Sequence, residues 1–277
     1  MYTLAECEKL WEEAGQHGSP SERIERAKTW LPYYTWLVEQ QKKKPVSTEE
    51  NLDGFPALLL REGLIYPEDT ILDIGAGPGS DSLFFAAHCR SVTALDMSSD
   101  SLQFLSEQAE KMGLVNLIPL QAAWEQFRPE EPFDVSYSSM CPAIGNLEEL
   151  RRLESITRRL CCLVTVMRGS YDKHRKAMMK ELDLHPKGGM LTEPIHYYNA
   201  LYLTGRQPSV FCRTVSHTYD ISEETFLEQY SVYFKIFGID KERSIPFLRD
   251  YFSRNAQDGV LHDESCLHYT LITWTVT

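Results

Sequence analysis

Between residues 70 and 168, short apolar runs alternate with amphipathic stretches. Runs at 70–74, 91–96, 116–121, 133–138 and 160–167 have strand length, and each is bounded by turn-forming or charged residues. Helical periodicity predicts helices at 79–89, 99–112 and 146–159, with a short piece near 124–128. The run Leu160-Cys161-Cys162-Leu163-Val164-Thr165-Val166 is almost continuously apolar, as expected for a parallel strand buried on both faces. Right-handed crossovers then give a doubly wound α/β sheet.

The flanking segments follow other rhythms. Residues 3–44 read as helical. Ser19-Pro20-Ser21-Glu22 supplies a capping box with proline at the first helical position, and Trp30, Tyr33, Tyr34, Trp36 and Leu37 follow. Residues 45–53 are polar and read as a linker. Beyond 168, helices are expected near 171–182 and 192–203 and a strand at 209–219. Ser222 caps an aromatic-rich helix, and another helix covers about 241–255. The last segment alternates, with Cys266, His268, Thr270, Ile272, Trp274 and Val276 on one face. The expected fold is therefore a seven-stranded, mostly parallel sheet with an antiparallel last strand. Its division is an N-terminal helical cap over 1–54 and a main domain over 55–277, with a helical insertion at about 171–204.

Composition narrows the partners. The chain has 28 basic and 40 acidic residues among 277, a formal net charge of −12 that opposes non-specific binding to nucleic acid or anionic membrane. The seven cysteines include no CxxC pair, which suits reduced, cytoplasmic thiols and no metal. No run reaches the roughly 18–20 apolar residues of a membrane span, and the first residues lack the features of a secretory leader.

The chemistry concentrates at Ile71-Leu72-Asp73-Ile74-Gly75-Ala76-Gly77-Pro78-Gly79-Ser80. A strand turning this tightly into a helix brings a ligand against bare backbone at the helix N-terminus. Ser80 breaks the dinucleotide spacing G-x-G-x-x-G, and Asp73 would repel a pyrophosphate while attracting a cation. The next strand, Val92-Thr93-Ala94-Leu95-Asp96, ends in an acid 21 residues after Gly75, where a carboxylate takes both ribose hydroxyls. Trp124, after the third strand, offers a flat wall for an adenine. The loop after the fourth strand carries Ser139, Met140 and Cys141 toward the reactive end, because ligands sit at the carboxyl ends of such strands.

In this order the features resemble the class I S-adenosylmethionine-dependent methyltransferases of small-molecule type. The resemblance covers roughly 55–276 and rests on Asp73-Ile74-Gly75-Ala76-Gly77-Pro78-Gly79, Asp96, Ala123-Trp124 and Phe133-Asp134-Val135. It implies S-adenosylmethionine as cofactor. Gly75 and Gly77, with Ala76 and Gly79, would meet its methionine part, and Asp73 its ammonium. Asp96, with Met97 beside it, would hold the ribose, Ala123 and Trp124 would line the adenine, and Ser139 would lie near the methyl. Two departures stand out. Ala123 replaces the acid that many relatives use on the adenine amino group, leaving that contact to Gln121, Glu125 or backbone. The fourth-strand loop is also not the D/N-P-P-Y/F form used on nucleic acid bases.

The expected reaction is direct in-line transfer of a methyl group to a small molecule, which depends mainly on positioning. His196 and Tyr198 are the candidate catalytic groups, and Tyr33, Met140, Cys141, His196, Asn199 and Tyr202 the candidate acceptor pocket. Two other readings remain at this stage. One is a non-catalytic protein that binds the cofactor for regulation or assembly; the other is a nicotinamide dehydrogenase that tolerates Asp73. Neither the acceptor nor the oligomeric state is legible.

Overall fold

The structure is a computed structural model that describes residues 3–14, 18–43, 54–184 and 191–276; the linker expected at 45–53 lies outside these. Three helices come first: α1 (Leu4–Ala14), α2 (Pro20–Lys28) and α3 (Leu31–Lys43). Then follow α4 (Phe55–Arg61), β1 (Thr70–Ile74), α5 (Ser80–His88), β2 (Ser91–Asp96), α6 (Ser99–Lys111), β3 (Leu117–Gln121), β4 (Phe133–Ser139), α7 (Leu147–Ser155) and β5 (Thr157–Val166). The chain continues through β6 (Tyr171–Asp172), α8 (Lys173–Glu181), α9 (Pro194–Leu203), β7 (Ser209–Ser222), α10 (Glu223–Tyr233), α11 (Lys241–Asn255) and β8 (Val260–Thr275).

The sheet runs β3-β2-β1-β4-β5-β8-β6, with β7 also pairing with β8. The first five strands are mutually parallel, and β8 runs antiparallel to β5. Seven strands have five or more residues, and the two-residue β6 is an addition that the sequence pattern does not announce. β1 illustrates why the apolar runs are continuous. Ile71 packs with Leu59, Phe84 and Phe85 of α4 and α5 on one face, while Leu72 and Ile74 pack with α1, α7 and α9 on the other. Alternate side chains of one strand thus fill two cores.

One boundary differs from expectation. The helix expected over 146–159 ends at Ser155, and Thr157 already opens β5, with its hydroxyl donating to Leu153 O at 2.7 Å. The arginines of this stretch therefore fall on two elements, Arg151 and Arg152 on α7 and the other two on β5. Arg158 and Arg159 stand on the strand, where Arg159 pairs with Asp69 and lies 4.6 Å over the Tyr66 ring. Arg152 stays on α7 but turns inward onto Trp124.

The N-terminal helices are packed into the rest of the fold. Cys7 and Trp11 of α1 join the core that includes α9. α3 lies against α6, where Thr35 Oγ1 donates to Asp100 at 2.6 Å, and against the aromatic cluster of α10 and α11. α3 is thus held between the carboxyl-end side of the sheet and the C-terminal helices.

Candidate cofactor and methyl-transfer site

β1 ends at Ile74, and the turn that follows is held by Leu95 O, which accepts from Gly75 N at 2.8 Å and Ala76 N at 3.1 Å. The glycines have different tasks. A Cβ at Gly79 would lie 2.2 Å from Leu105 Cδ1, so this residue, at φ +85°, lets α5 start directly against α6. A Cβ at Gly75 would lie 2.3 Å from Cys141 Sγ, so the thiol occupies the space beside that backbone. Gly77, at φ +55°, has no atom within 4 Å of where its Cβ would be. Gly77 is the open position of the turn, the place where a ligand can approach bare backbone.

Three carboxylates surround this turn. Asp96 accepts from Gly77 N at 2.8 Å through one oxygen and from Ser98 N at 2.7 Å through the other, leaving lone pairs on both. Burial pushes its pKa up, opposed by those backbone donors. Asp73 is only 2% exposed and takes the Ser82 hydroxyl at 2.5 Å. Burial first, then the charge of Asp81, raises its pKa to about 8. Asp73 therefore lies beneath the turn and does not face the cleft. Asp81, in the first turn of α5, accepts from Tyr137 at 2.7 Å and is also raised by burial. Asp81 was missed in the sequence, although an acid in the first turn of a helix after such a loop is a usable signal. No basic side chain among the described residues contributes to the environment of any of these three acids.

The loop after β4 is strained. Met140 has φ +53° and its N–H donates to Val164 O at 2.9 Å. A non-glycine residue in this region costs energy and is found where geometry is imposed. Here it turns Cys141 onto Gly75. Burial pushes the Cys141 thiol up to about 12, and the charges of Asp96, Asp73 and Glu125 act in the same direction. The thiol is neutral at pH 7.

In the electrostatic surroundings of Cys141 stand two aromatic residues, each one position from an expected site residue. Tyr34, not Tyr33, is the α3 residue whose environment includes Cys141 and Asp96; burial and those two groups raise its pKa. Tyr33 instead packs with Trp36 and Tyr233, at ring-centroid distances of 5.7 and 5.6 Å. On α9, buried Tyr197 carries the electrostatic contact with Cys141 and donates to Ile144 O at 2.6 Å. Tyr198 and Tyr202 stack on each other at 38% and 66% exposure, on a solvent-facing side of α9. His196 stacks on Trp11, and burial draws its pKa down. Asn199 is half-buried on the same helix. The structure thus brings neither expected catalytic group to Cys141.

Trp124 is likewise not an open wall. It is 4% exposed, its Nε1 donates to Glu149 at 2.6 Å, and the Arg152 guanidinium sits 4.1 Å over the ring. Arg23 of α2 completes the network, pairing with Glu149 and, at 3.2 Å, with Glu125. Glu125 is thus committed to Arg23, and Gln121 donates to Met97 O at 3.3 Å. Ala122 and Ala123 remain as the small residues at this end, with Ala122 N donating to Asp96 O. Ser139 ends β4 as expected.

The residues fit a cofactor that carries positive charge and a ribose. The open cradle at Gly77 admits a ligand, Asp96 has free acceptor capacity, and the acids lack cationic partners. Residues 71–161 match the family described as a methyltransferase domain. An uncharacterised protein of Haemophilus influenzae is 31% identical over 125 residues, 43% of this chain and 45% of that one. The ribosomal RNA small subunit methyltransferase G of Photobacterium profundum is 29% identical over 68 residues, 24% of this chain and 33% of that one. This chain thus spans less than half the length of these curated relatives. Among solved structures, the YcgJ protein of Bacillus subtilis shares the fold at a TM-score of 0.50 with 16% identity, covering 79% of this chain and 97% of that one.

The topology and the site define a Rossmann-like α/β domain of the methyltransferase class. Residues 71–161 match a methyltransferase domain, the class for which the sequence leads one to expect S-adenosylmethionine as cofactor.

Proposed function

We propose that this protein transfers a methyl group from S-adenosylmethionine to a small-molecule acceptor by direct in-line displacement, in the cytoplasm. The observation that carries the reading is the arrangement at Cys141: its thiol abuts the glycine turn, and Tyr197 of α9 donates to Ile144 O three residues further along the same loop, with Tyr34 of α3 in the electrostatic surroundings. An acceptor entering here meets phenol rings and a neutral thiol, a surface suited to a small, partly apolar molecule. The formal charge of −12 disfavours a polyanionic acceptor.

When bound, the cofactor supplies an electrophilic methyl on a sulfonium. In this proposal Gly77 gives it backbone access, Asp96 holds its ribose, and Ala122 and Ala123 flank its adenine. Residues 1–54 act as the cap and, with the insertion at about 171–204, enclose the acceptor. Burial keeps Cys141 and Tyr34 protonated, so neither serves as a base at neutral pH. The acceptor must therefore arrive with its own lone pair, and the protein contributes alignment and exclusion of water.

The test is incubation with methyl-labelled cofactor and fractionated metabolite extracts, alongside calorimetry with S-adenosylhomocysteine. Label in a low-mass product, lost in Asp96→Ala together with homocysteine-cofactor binding, is expected. Tight binding with no transfer to any fraction would mean a binding protein, and label in RNA would overturn the small-molecule assignment.

A further inference from the structure

The two edges of the sheet are built differently. β3 closes one end with five residues, and Pro119 at its centre has no amide hydrogen to offer a further strand. At the other end, β8 has β5 and β6 on one side and β7 alone on the other. β7 is 14 residues long, contains no proline, and pairs along its whole length with β8. No strand among the described residues pairs with its outer side. Eleven of its 14 residues are exposed, so the strand lies open along its length rather than under a helix or loop. Val210, Phe211, Val215, Tyr219 and Ile221 are all strand-forming types. An uncovered edge of this length and composition is a template for one more strand.

We infer that β7 is a dimer interface, at which two copies of this chain join their sheets by antiparallel pairing of β7 with β7 about a two-fold axis. Directly opposite residues of such a pair project from the same face, which limits the axis to a few positions. An axis at Ser216 sets Thr214 opposite Thr218 of the second copy, Arg213 opposite its Tyr219 and Phe211 opposite its Ile221. These are a hydroxyl pair, a cation against a phenol, and an aromatic against a β-branched side chain, combinations that stabilise neighbouring strands. Tyr219 donates to Asp263 at 3.4 Å, so a carboxylate stands behind the ring that meets Arg213. Asp220 falls opposite Cys212, and no like charges meet. Moving the axis by one residue spoils the match. At Val215 it sets Arg213 against His217, and at His217 it sets that imidazole against its own copy. Pairing over 210–222 forms about a dozen backbone hydrogen bonds, against roughly ten across a typical stable interface. β3 cannot take the place of the second β7, because Pro119 interrupts its ladder. The edge therefore meets its own copy, and the assembly closes at two.

The test is sedimentation of the whole chain over a concentration series, in wild type and Ser216→Lys. Wild type is expected to reach twice the monomer mass and to dissociate on dilution. Ser216→Lys sets two ammonium groups against each other at the axis and is expected to weaken the dimer about tenfold or more. Ser216 is exposed, so the variant monomer should keep the wild-type circular dichroism spectrum. Ser216→Cys faces its own copy and is expected to form a disulfide-linked dimer under mild oxidation. Thr218→Cys is the control: its copy lies about 14 Å away along the ladder, beyond the roughly 7 Å reach of a disulfide. Hydrogen exchange needs no variant, and the outward amides of β7 are expected to slow as protein concentration rises. A wild type that is monomeric at every concentration overturns the inference and leaves the edge to an extended segment of another protein. So does a dimer that Ser216→Lys leaves intact, or a Thr218→Cys linkage as rapid as that of Ser216→Cys.

Discussion

Asp73 is the sharpest place to perturb this protein, because its environment predicts the sign of two separate measurements. Its carboxyl lies in the folded core with a pKa near 8 against an unperturbed 3.8, raised by burial and then by Asp81. A group whose folded value is raised stabilises the fold fully below its unfolded pKa, and that contribution is lost as pH climbs through the folded value. The ligand-free protein is therefore expected to lose stability between about pH 4 and pH 8. The slope from this one proton reaches about 1.4 kcal/mol per pH unit, or roughly 3–5 °C in melting temperature for a chain this size. Asp73→Asn keeps a partner for Ser82 but cannot ionise, so its curve should lack that slope and should lie above wild type by pH 8. A bound cation reverses the situation by favouring the ionised carboxylate. At pH 7 a group with pKa 8 is about 90% protonated, so loading S-adenosylmethionine should release up to about 0.9 proton. Melting curves from pH 5 to 8, and calorimetry in phosphate and Tris buffers, measure the two effects. Parallel pH profiles for wild type and Asp73→Asn, or net proton uptake on binding, would refute the reasoning.

Other perturbations separate fold from site. Gly79→Ala meets both a left-handed backbone and Leu105 at 2.2 Å, and is expected to cost about 2–5 kcal/mol in urea denaturation. Gly77→Ala meets strain alone, about 1–2 kcal/mol, yet should weaken S-adenosylhomocysteine binding at least tenfold; unaltered binding would remove Gly77 from the site. Arg23→Ala leaves Glu125 buried without its cation and Glu149 with Arg152 alone, and should cost about 3–5 kcal/mol; a loss under 1 kcal/mol would mean that water or Arg152 compensates both acids. Iodoacetamide at pH 7.5, followed by mass spectrometry, should modify exposed Cys212 before Cys141, whose thiol is held neutral near 12; the reverse order contradicts the burial argument.

How far the sequence could be read depended on how local each signal was. The glycine turn and the strand-end acids were legible because a strand, a left-handed turn and a helix start are specified within about ten residues. Both aromatic assignments stand one position away from the residues whose environment includes Cys141, for a shared reason. Successive residues of a helix point about 100° apart, so choosing Tyr33 over Tyr34, or Tyr198 over Tyr197, requires knowing which side faces the sheet. α3 and α9 carry aromatics on several sides, and no polar stripe marks the outside. Trp124 was misread because its partners are remote: Glu149 and Arg152 lie 25 and 28 residues away. The helix at 146–159 was drawn too long because Arg158 and Arg159 continue its charge pattern, although the β-branched Ile156 closes the helix and Thr157 opens the strand.

These observations also explain why the glycine turn does not serve a dinucleotide. Ser80 departs from the usual spacing, but spacing alone decides little. The stronger discriminator is electrostatic: Asp73, Asp81 and Asp96 approach one turn with no basic residue among the described residues contributing to their environment, and two of them already raise the third. A pyrophosphate would add negative charges to a cluster that already resists full ionisation. A sulfonium and an ammonium do the opposite, relieving mutual repulsion that the empty site carries. The free energy that the acids withhold from the ligand-free fold thus returns on loading, and only a cation can recover it. Selection of the cofactor and the acid dependence of stability are then two readouts of one arrangement, so Asp73→Asn should flatten the pH profile and narrow the preference for S-adenosylmethionine over its neutral product together.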